Sequence, residues 1–303
     1  MGVGLYHFNG KMCGCSNFVK GYRRINRSSW CCDTYAKSKQ LNKYWEVLPI
    51  MDARRAYQLR PVIFLNTVPK SGTNLLNQLL LGIPGSVMND YVFYEGLVKD
   101  LPLQASILSK AVPNDVYMGH VYYSPEWAKL LVRPGIKTIF MIRDLRDVLV
   151  SLTYYIIEKL PDYPIYKELV ALPSQKERYL LLINGLDDYP NIKNWFGVFQ
   201  GWLSVPGIFI TTYEELMISK ASRRKTITAM AEFLWKGSVP PMPIAKLVRS
   251  MEANMDSGSS FTFRKGVVGG WRNEFDEEVI AAFKRVAGDV LIQTGYEKDL
   301  LWS

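Results

Sequence analysis

Pro69-Lys70-Ser71-Gly72-Thr73-Asn74 sets one cation, two hydroxyls and a glycine between an apolar run and a stretch of helical composition. Residues of these types at such a junction make an anion cradle, because consecutive backbone N–H groups open a helix whose dipole favours negative charge. Gly72 lets the backbone approach a ligand closely, Lys70 supplies a point charge, and Ser71 and Thr73 add hydroxyl donors. The same residues also describe an ordinary strand–helix turn that happens to contain lysine. The stretch is not the nucleotide-triphosphatase loop, which needs Gly-x4-Gly-Lys-Ser/Thr with the hydroxyl after lysine on magnesium. Here lysine precedes glycine by two places, which points to a phosphorylated ligand bound without a magnesium-centred γ-phosphate site.

Three further groups could do chemistry. Arg143 follows an apolar run, and Ser151 lies two helical turns beyond it on nearly the same face, so both could hold one phosphate. A surface ion pair of Arg143 with Asp144 or Asp147 is the plainer reading. Arg264-Lys265-Gly266 adds two cations and a flexible backbone after a Ser/Gly-rich stretch, and otherwise reads as a basic loop. The chain has two histidines. His7 lies in an N-terminal segment without clear periodicity. His120, in Met118-Gly119-His120-Val121-Tyr122, is either a structural strand residue or a base, since imidazole titrates near neutrality. Cys13, Cys15, Cys31 and Cys32 are spaced Cys-x-Cys and Cys-Cys, a poor match to structural zinc, so no metal site and reduced thiols are expected.

These residues need elements to position them. Residues 61–66 form a short, almost wholly apolar run, as expected of a strand buried on both faces, and residues 73–81 continue as a helix. The same grammar recurs at 137–142, followed by a helix over 145–160 that Asp144 caps, and at 207–212 before Tyr213. A weaker strand is expected around 116–121, and Ser124-Pro125-Glu126 opens a helix. Residues 174–204 and 222–251 are mostly helical in composition. Strands alternating with helices predict an α/β fold, a central parallel β-sheet flanked by helices with a P-loop-like strand-loop-helix.

The 303 residues are 48% apolar and 21% charged, which excludes a disordered chain, and mean hydropathy is −0.03. The net charge of +9 is concentrated: residues 1–60 hold eleven basic side chains against three acidic ones, and the rest hold 26 against 25. A near-neutral domain argues against a nucleic-acid surface. The basic segment reads as a solvated face or, alternatively, as a peripheral membrane contact. No apolar run reaches the ~18 residues of a membrane helix. The first residues lack a signal-peptide pattern, so an uncleaved, cytoplasmic protein is expected. The expected division is a basic, Cys-containing extension at 1–60 and one domain at 61–303.

Pro69–Thr73 resembles the 5′-phosphosulfate loop of the cytosolic-type sulfotransferases that use 3′-phosphoadenosine 5′-phosphosulfate (PAPS). Arg143-Asp144-Leu145-Arg146-Asp147-Val148-Leu149-Val150-Ser151 is similar to that family's 3′-phosphate block. Residues 263–272, Phe-Arg-Lys-Gly-Val-Val-Gly-Gly-Trp-Arg, resemble its C-terminal block. The resemblance implies donor contacts from Lys70, Ser71, Gly72, Thr73, Asn74, Leu75, Arg143, Ser151, Arg264, Lys265 and Gly266, with Tyr213 at the adenine. It implies His120 as general base and Lys70 on the leaving phosphate, with 3′-phosphoadenosine 5′-phosphate (PAP) as product and no metal. Leu75 stands where many members carry a stacking tryptophan, and Met118 where a lysine is common. Gly270 and Arg272 replace the usual aspartate and lysine around the tryptophan. The acceptor, a hydroxyl or amine of a small molecule, lipid or glycan, is expected among the aromatics of 86–123 and 153–196. These include Tyr91, Phe93, Tyr94, Tyr122, Tyr123, Tyr154, Tyr155, Tyr163, Tyr166, Trp195 and Phe196. A P-loop-like nucleotide kinase and a non-catalytic nucleotide-binding scaffold are the competing readings. No dimerisation motif is evident in 273–299, and the oligomeric state stays open.

Overall fold

The computed structural model describes residues 60–94, 100–255 and 266–303. Residues 38–57, whose composition reads as a helix or two, lie outside those residues, as do His7, the four cysteines, Arg264 and Lys265. The elements run β1 (Val62–Thr67), α1 (Thr73–Leu81), β2 (Val87–Tyr94), α2 (Leu101–Ser109), β3 (Asp115–His120), α3 (Pro125–Leu131), β4 (Ile136–Ile142) and α4 (Leu145–Lys159). They continue as α5 (Tyr166–Ala171), α6 (Gln175–Asn184), α7 (Ile192–Gln200), β5 (Phe209–Thr212), α8 (Tyr213–Met217), α9 (Lys220–Leu234), α10 (Ile244–Ala253) and α11 (Glu277–Gln293).

All five strands are parallel, in the order β2-β3-β1-β4-β5. Every residue of the central strand β1 is buried, which explains its unbroken apolar composition. Alternate side chains serve opposite faces. Phe64 packs in one core with Phe140, Trp127, Trp202 and the apolar side of α4 and α11. Ile63 and Leu65 pack in the other with Ile139, Met141 and the buried sides of α1, α9 and α10. Helices therefore cover both faces, as the alternation of strand and helix predicts.

The neighbours of β1 step to opposite sides, β3 to one and β4 to the other, so the carboxyl end of β1 opens into the crevice where such folds bind ligands. Asn66 fastens that end. Its side chain donates to the Val121 carbonyl at 3.1 Å and accepts the Val121 N–H at 2.8 Å, holding the residue after His120 against β1. Asp144 caps α4 through the Arg146 N–H at 2.9 Å, and Ser124 caps α3 through the Trp127 N–H at 3.2 Å.

Besides the short helices α2 and α5, two elements differ from the sequence expectation. Residues 87–94 form the edge strand β2, whose pairing with β3 is interrupted by a bulge between Met88 and Val92. The Asn89 side chain turns back to accept the Tyr91 N–H at 3.0 Å, and this polar break hides the strand in the sequence. The 17-residue helix α11 was not expected from the motifs, although Val279, Ala282, Phe283, Val290 and Leu291 are buried at helical spacing.

Candidate active site

The phosphate-loop candidate runs from the end of β1 to the start of α1. The Val68 N–H donates to the Met141 carbonyl and the Ser71 N–H to the Val68 carbonyl, each at 3.1 Å, so the Ser71 amide is used by the turn itself. The first turn of α1 presents N–H groups that lack helical acceptors, and Gly72 at the N-cap has no side chain to cap them. Ser71 is fully buried, and its Oγ has no hydrogen-bond partner among the described residues. A buried hydroxyl in that state fits a ligand oxygen at the loop. Thr73 is different, because its hydroxyl lies 2.7 Å from Thr67 Oγ1. Leu75 packs against the core beside α1.

Gly72 has φ 103°, and a Cβ added there would stand 2.6 Å from a ring carbon of Tyr213. Gly72→Ala is expected to destabilise the fold by about 1–3 kcal/mol through left-handed strain and this clash. Urea unfolding measures it, and an unchanged midpoint would contradict it.

His120 ends β3 and is half-buried. Its Nδ1 lies 2.7 Å from the Thr67 carbonyl and 3.2 Å from Thr67 Oγ1. A carbonyl only accepts, so Nδ1 carries the proton and Nε2 carries the lone pair. Burial, the largest cause, and the Lys70 charge push the imidazole pKa down to about 4, against the opposing Thr67 carbonyl. The near-neutral titration expected from the sequence is thus displaced toward acid. Tyr94 tilts over the imidazole, with ring centroids 5.1 Å apart.

Lys70 adopts φ 69°, a left-handed conformation rare for a residue with a side chain. Its Nζ sits 3.5 Å from the centroid of the Tyr155 ring, a cation–π contact. Burial first, and then the Arg143 charge, bring its pKa down to about 8. The neutral imidazole therefore lies within electrostatic reach of the Lys70 ammonium.

Arg143 follows β4 at the opposite side of β1. Its Nη2 donates to the Val267 carbonyl at 2.9 Å and pairs with Asp147 at 3.3 Å, and its Nη1 reaches the Lys70 carbonyl at 3.5 Å. Among the described residues the buried Nε N–H has no hydrogen-bond partner, a donor that an anion would satisfy. The guanidinium lies 4.2 Å from the centroid of Tyr213, the first residue of α8. Tyr213 is buried, in contact with both Gly72 and Arg143. Ser151 is half-buried on α4, and Gly266, with φ 63°, opens the segment that returns past Arg143. Lys70, Ser71, Gly72, Arg143 and Tyr213 thus converge at the carboxyl ends of β1, β4 and β5, and His120 joins Lys70 from β3.

Several site residues go beyond the motifs. Thr67, which fixes the imidazole, and Tyr155, which underlies Lys70, carry no sequence signal of their role. Arg146 is buried, paired with Asp144 at 2.7 Å and Glu297 at 2.6 Å, and stacked 4.0 Å from Trp271 and 4.4 Å from Trp302. It anchors the start of α4 to the C-terminal segment. Among the aromatics expected near an acceptor, Phe93 and Phe196 are core residues, at 0% and 2% exposure. Among the described residues, no cluster of three His, Cys, Asp or Glu side chains is placed to hold a metal, and no helix is long and apolar enough to cross a membrane.

The parallel sheet and its loop define a P-loop-like nucleotide-binding fold. The family model described as the sulfotransferase domain matches residues 60–295, and the chain belongs to that family, that of the PAPS-dependent sulfotransferases. It is 25% identical over 251 residues to sulfotransferase 2B1 of Rattus norvegicus, covering 74% of this chain and 69% of that protein. It is 26% identical over 254 residues to 3-alpha-hydroxysteroid sulfotransferase of Cavia porcellus, covering 73% and 80%. Among solved structures, it shares the fold of a mouse sulfotransferase complexed with PAP, at TM-score 0.52 and 20% identity, covering 76% of this chain and 84% of that one. It likewise shares the fold of retinol dehydratase in complex with androsterone and the inactive cofactor PAP, at TM-score 0.51 and 17% identity, covering 80% and 84%.

Proposed function

We propose that residues 61–303 are a catalytic domain that moves the sulfuryl group of PAPS to a hydroxyl or amine of a small acceptor, with His120 as general base. The observation that carries this reading is the 2.7 Å bond from His120 Nδ1 to the Thr67 carbonyl. It leaves the Nε2 lone pair available beside the loop that holds Lys70. During attack, Nε2 takes the acceptor proton, the acceptor heteroatom forms its bond to sulfur, and the bond from sulfur to the 5′-phosphate oxygen breaks. Lys70 and the amides at Gly72 and Thr73 stabilise the charge that gathers on the departing PAP, as fixed dipoles and charges do. Ser71 Oγ supplies a further donor to the phosphosulfate end.

The 3′-phosphate falls to Arg143, assisted by Ser151 and, from the C-terminal block, Arg264, Lys265 and Gly266. The Arg143 Nε, without a hydrogen-bond partner among the described residues, and the fixed guanidinium support this assignment. Tyr213, in contact with Gly72 and Arg143, belongs to the adenine side. The acceptor lies toward Tyr94 and Tyr155, aromatics in contact with His120 and Lys70. Their rings suit a flat, largely apolar alcohol. The steroid in a relative's name and the androsterone in a neighbour's complex are consistent with that class. An acceptor screen with labelled PAPS tests it: steroid-like alcohols and phenols should accept label, and exclusive labelling of polysaccharide would contradict it.

Arg143→Ala should weaken PAP on the order of tenfold or more, since bonds from a charged donor are lost, while adenosine 5′-phosphate (AMP) changes far less. Calorimetric titration of both ligands reads the ratio. Equal losses would remove the 3′-phosphate role.

A further inference from the structure

Asp147 belongs to neither the phosphate loop nor the base, yet it is buried at 3% exposure and surrounded by donors. Its Oδ2 accepts the Gly269 N–H at 2.8 Å and faces Arg143 Nη2 at 3.3 Å, and its Oδ1 accepts the Trp271 N–H at 2.9 Å. Gly269 reaches this geometry at φ 72°, a conformation that favours glycine. The same Arg143 Nη2 donates to the Val267 carbonyl at 2.9 Å. One carboxylate therefore ties the arginine that follows β4 to the backbone of residues 267–271.

We propose that Asp147 is a positioning residue that orients Arg143 and the 267–271 segment together for the 3′-phosphate of the donor. The proposal rests on the assignment of Arg143 to that phosphate. A buried carboxylate is stable where it is paired and hydrogen-bonded, and here its partners are the groups that need a fixed arrangement. With Nη2 anchored on Asp147 and Val267, the planar guanidinium has one orientation, and its remaining donors, the buried Nε among them, are held ready for an anion. Among the described residues the Asp147 carboxylate makes no direct hydrogen bond to the 5′-phosphate loop, which it meets only through the long 3.5 Å contact of Arg143 Nη1 with the Lys70 carbonyl. Its loss should therefore be felt by a nucleotide carrying a 3′-phosphate and hardly by one lacking it.

Asp147→Asn keeps the shape and one acceptor oxygen but removes the charge and the second acceptor. In calorimetric titrations it should raise the Kd for PAP on the order of tenfold, the loss expected of a charge-assisted bond, and leave the Kd for AMP nearly unchanged. Equal changes for PAP and AMP, or unchanged PAP binding, would overturn the proposal. Arg143→Ala in the same titrations separates the two failures. If it lowers PAP-over-AMP selectivity and Asp147→Asn does not, the positioning role alone fails. If Arg143→Ala leaves selectivity intact, the Arg143 assignment fails and takes this proposal with it. Should Asp147→Asn not fold, amide exchange in the unaltered protein decides: PAP should slow exchange in 267–271 more than AMP does, and equal slowing would overturn the proposal.

Discussion

His120→Ala is expected to lower turnover by about 10²–10⁴-fold, the contribution of a positioned general base, and to leave PAP affinity nearly unchanged. The phosphates are assigned to Lys70, the loop amides and Arg143, none of which bonds the imidazole. His120→Asn fails in the same way, because an amide can accept a hydrogen bond but cannot take a proton at neutral pH. A base in the proposed role must be neutral, so kcat/KM should hold as pH falls and decline only through the displaced pKa of about 4. Burial and the Lys70 charge both oppose protonation of this imidazole, so its acid limb should lie below the ordinary 6.5. Turnover of His120→Ala close to that of the unaltered enzyme would remove the base. Loss of PAP binding in that variant would make His120 a structural residue of the site.

Lys70→Gly separates chemistry from folding. At φ 69° a lysine is strained and a glycine is not, so the variant should be as stable as the parent, or more stable by about 1 kcal/mol. Turnover should nonetheless fall by about 10²–10³-fold, the usual effect of losing one preorganised group on developing charge. The ammonium works only when protonated. In the unaltered enzyme kcat/KM should therefore decline above a pH of about 8, and that alkaline limb should vanish in the variant. A variant that kept full turnover would show that the loop amides and hydroxyls hold the leaving phosphate unaided.

The phosphate loop was legible because its chemistry is local. Helix start, glycine and lysine lie within a few residues of a strand whose burial on both faces shows in its composition. The placement of Arg143 after β4 was legible for a similar reason. A surface ion pair with Asp144 or Asp147 was the plainer reading, and the pair that forms is with Asp147 and buried. The links of Asp147 to Gly269 and Trp271 were not legible, since they join backbone amides more than a hundred residues away, and amides carry no residue-type signal. The same holds for Thr67, whose contribution to the imidazole is its carbonyl. Tyr94 and Tyr155 could be named only among a crowd of aromatics. Sequence alone does not separate them from Phe93, which closes the core against Phe64 at 5.2 Å. The edge strand β2 escaped because edge strands tolerate polar residues, here Asn89 and Asp90, that interrupt the apolar run.

Transfer of labelled sulfur from PAPS, followed with EDTA present and a panel of apolar alcohols as acceptors, tests the central claim most directly. The loop lacks the Gly-x4-Gly-Lys-Ser/Thr spacing that serves magnesium, so chelation should leave transfer intact. The expected result is label on an acceptor hydroxyl with PAP released in equal amount, abolished by Lys70→Gly and His120→Ala together. Transfer of the γ-phosphate of ATP in magnesium, with none of the label moved from PAPS, would contradict the account.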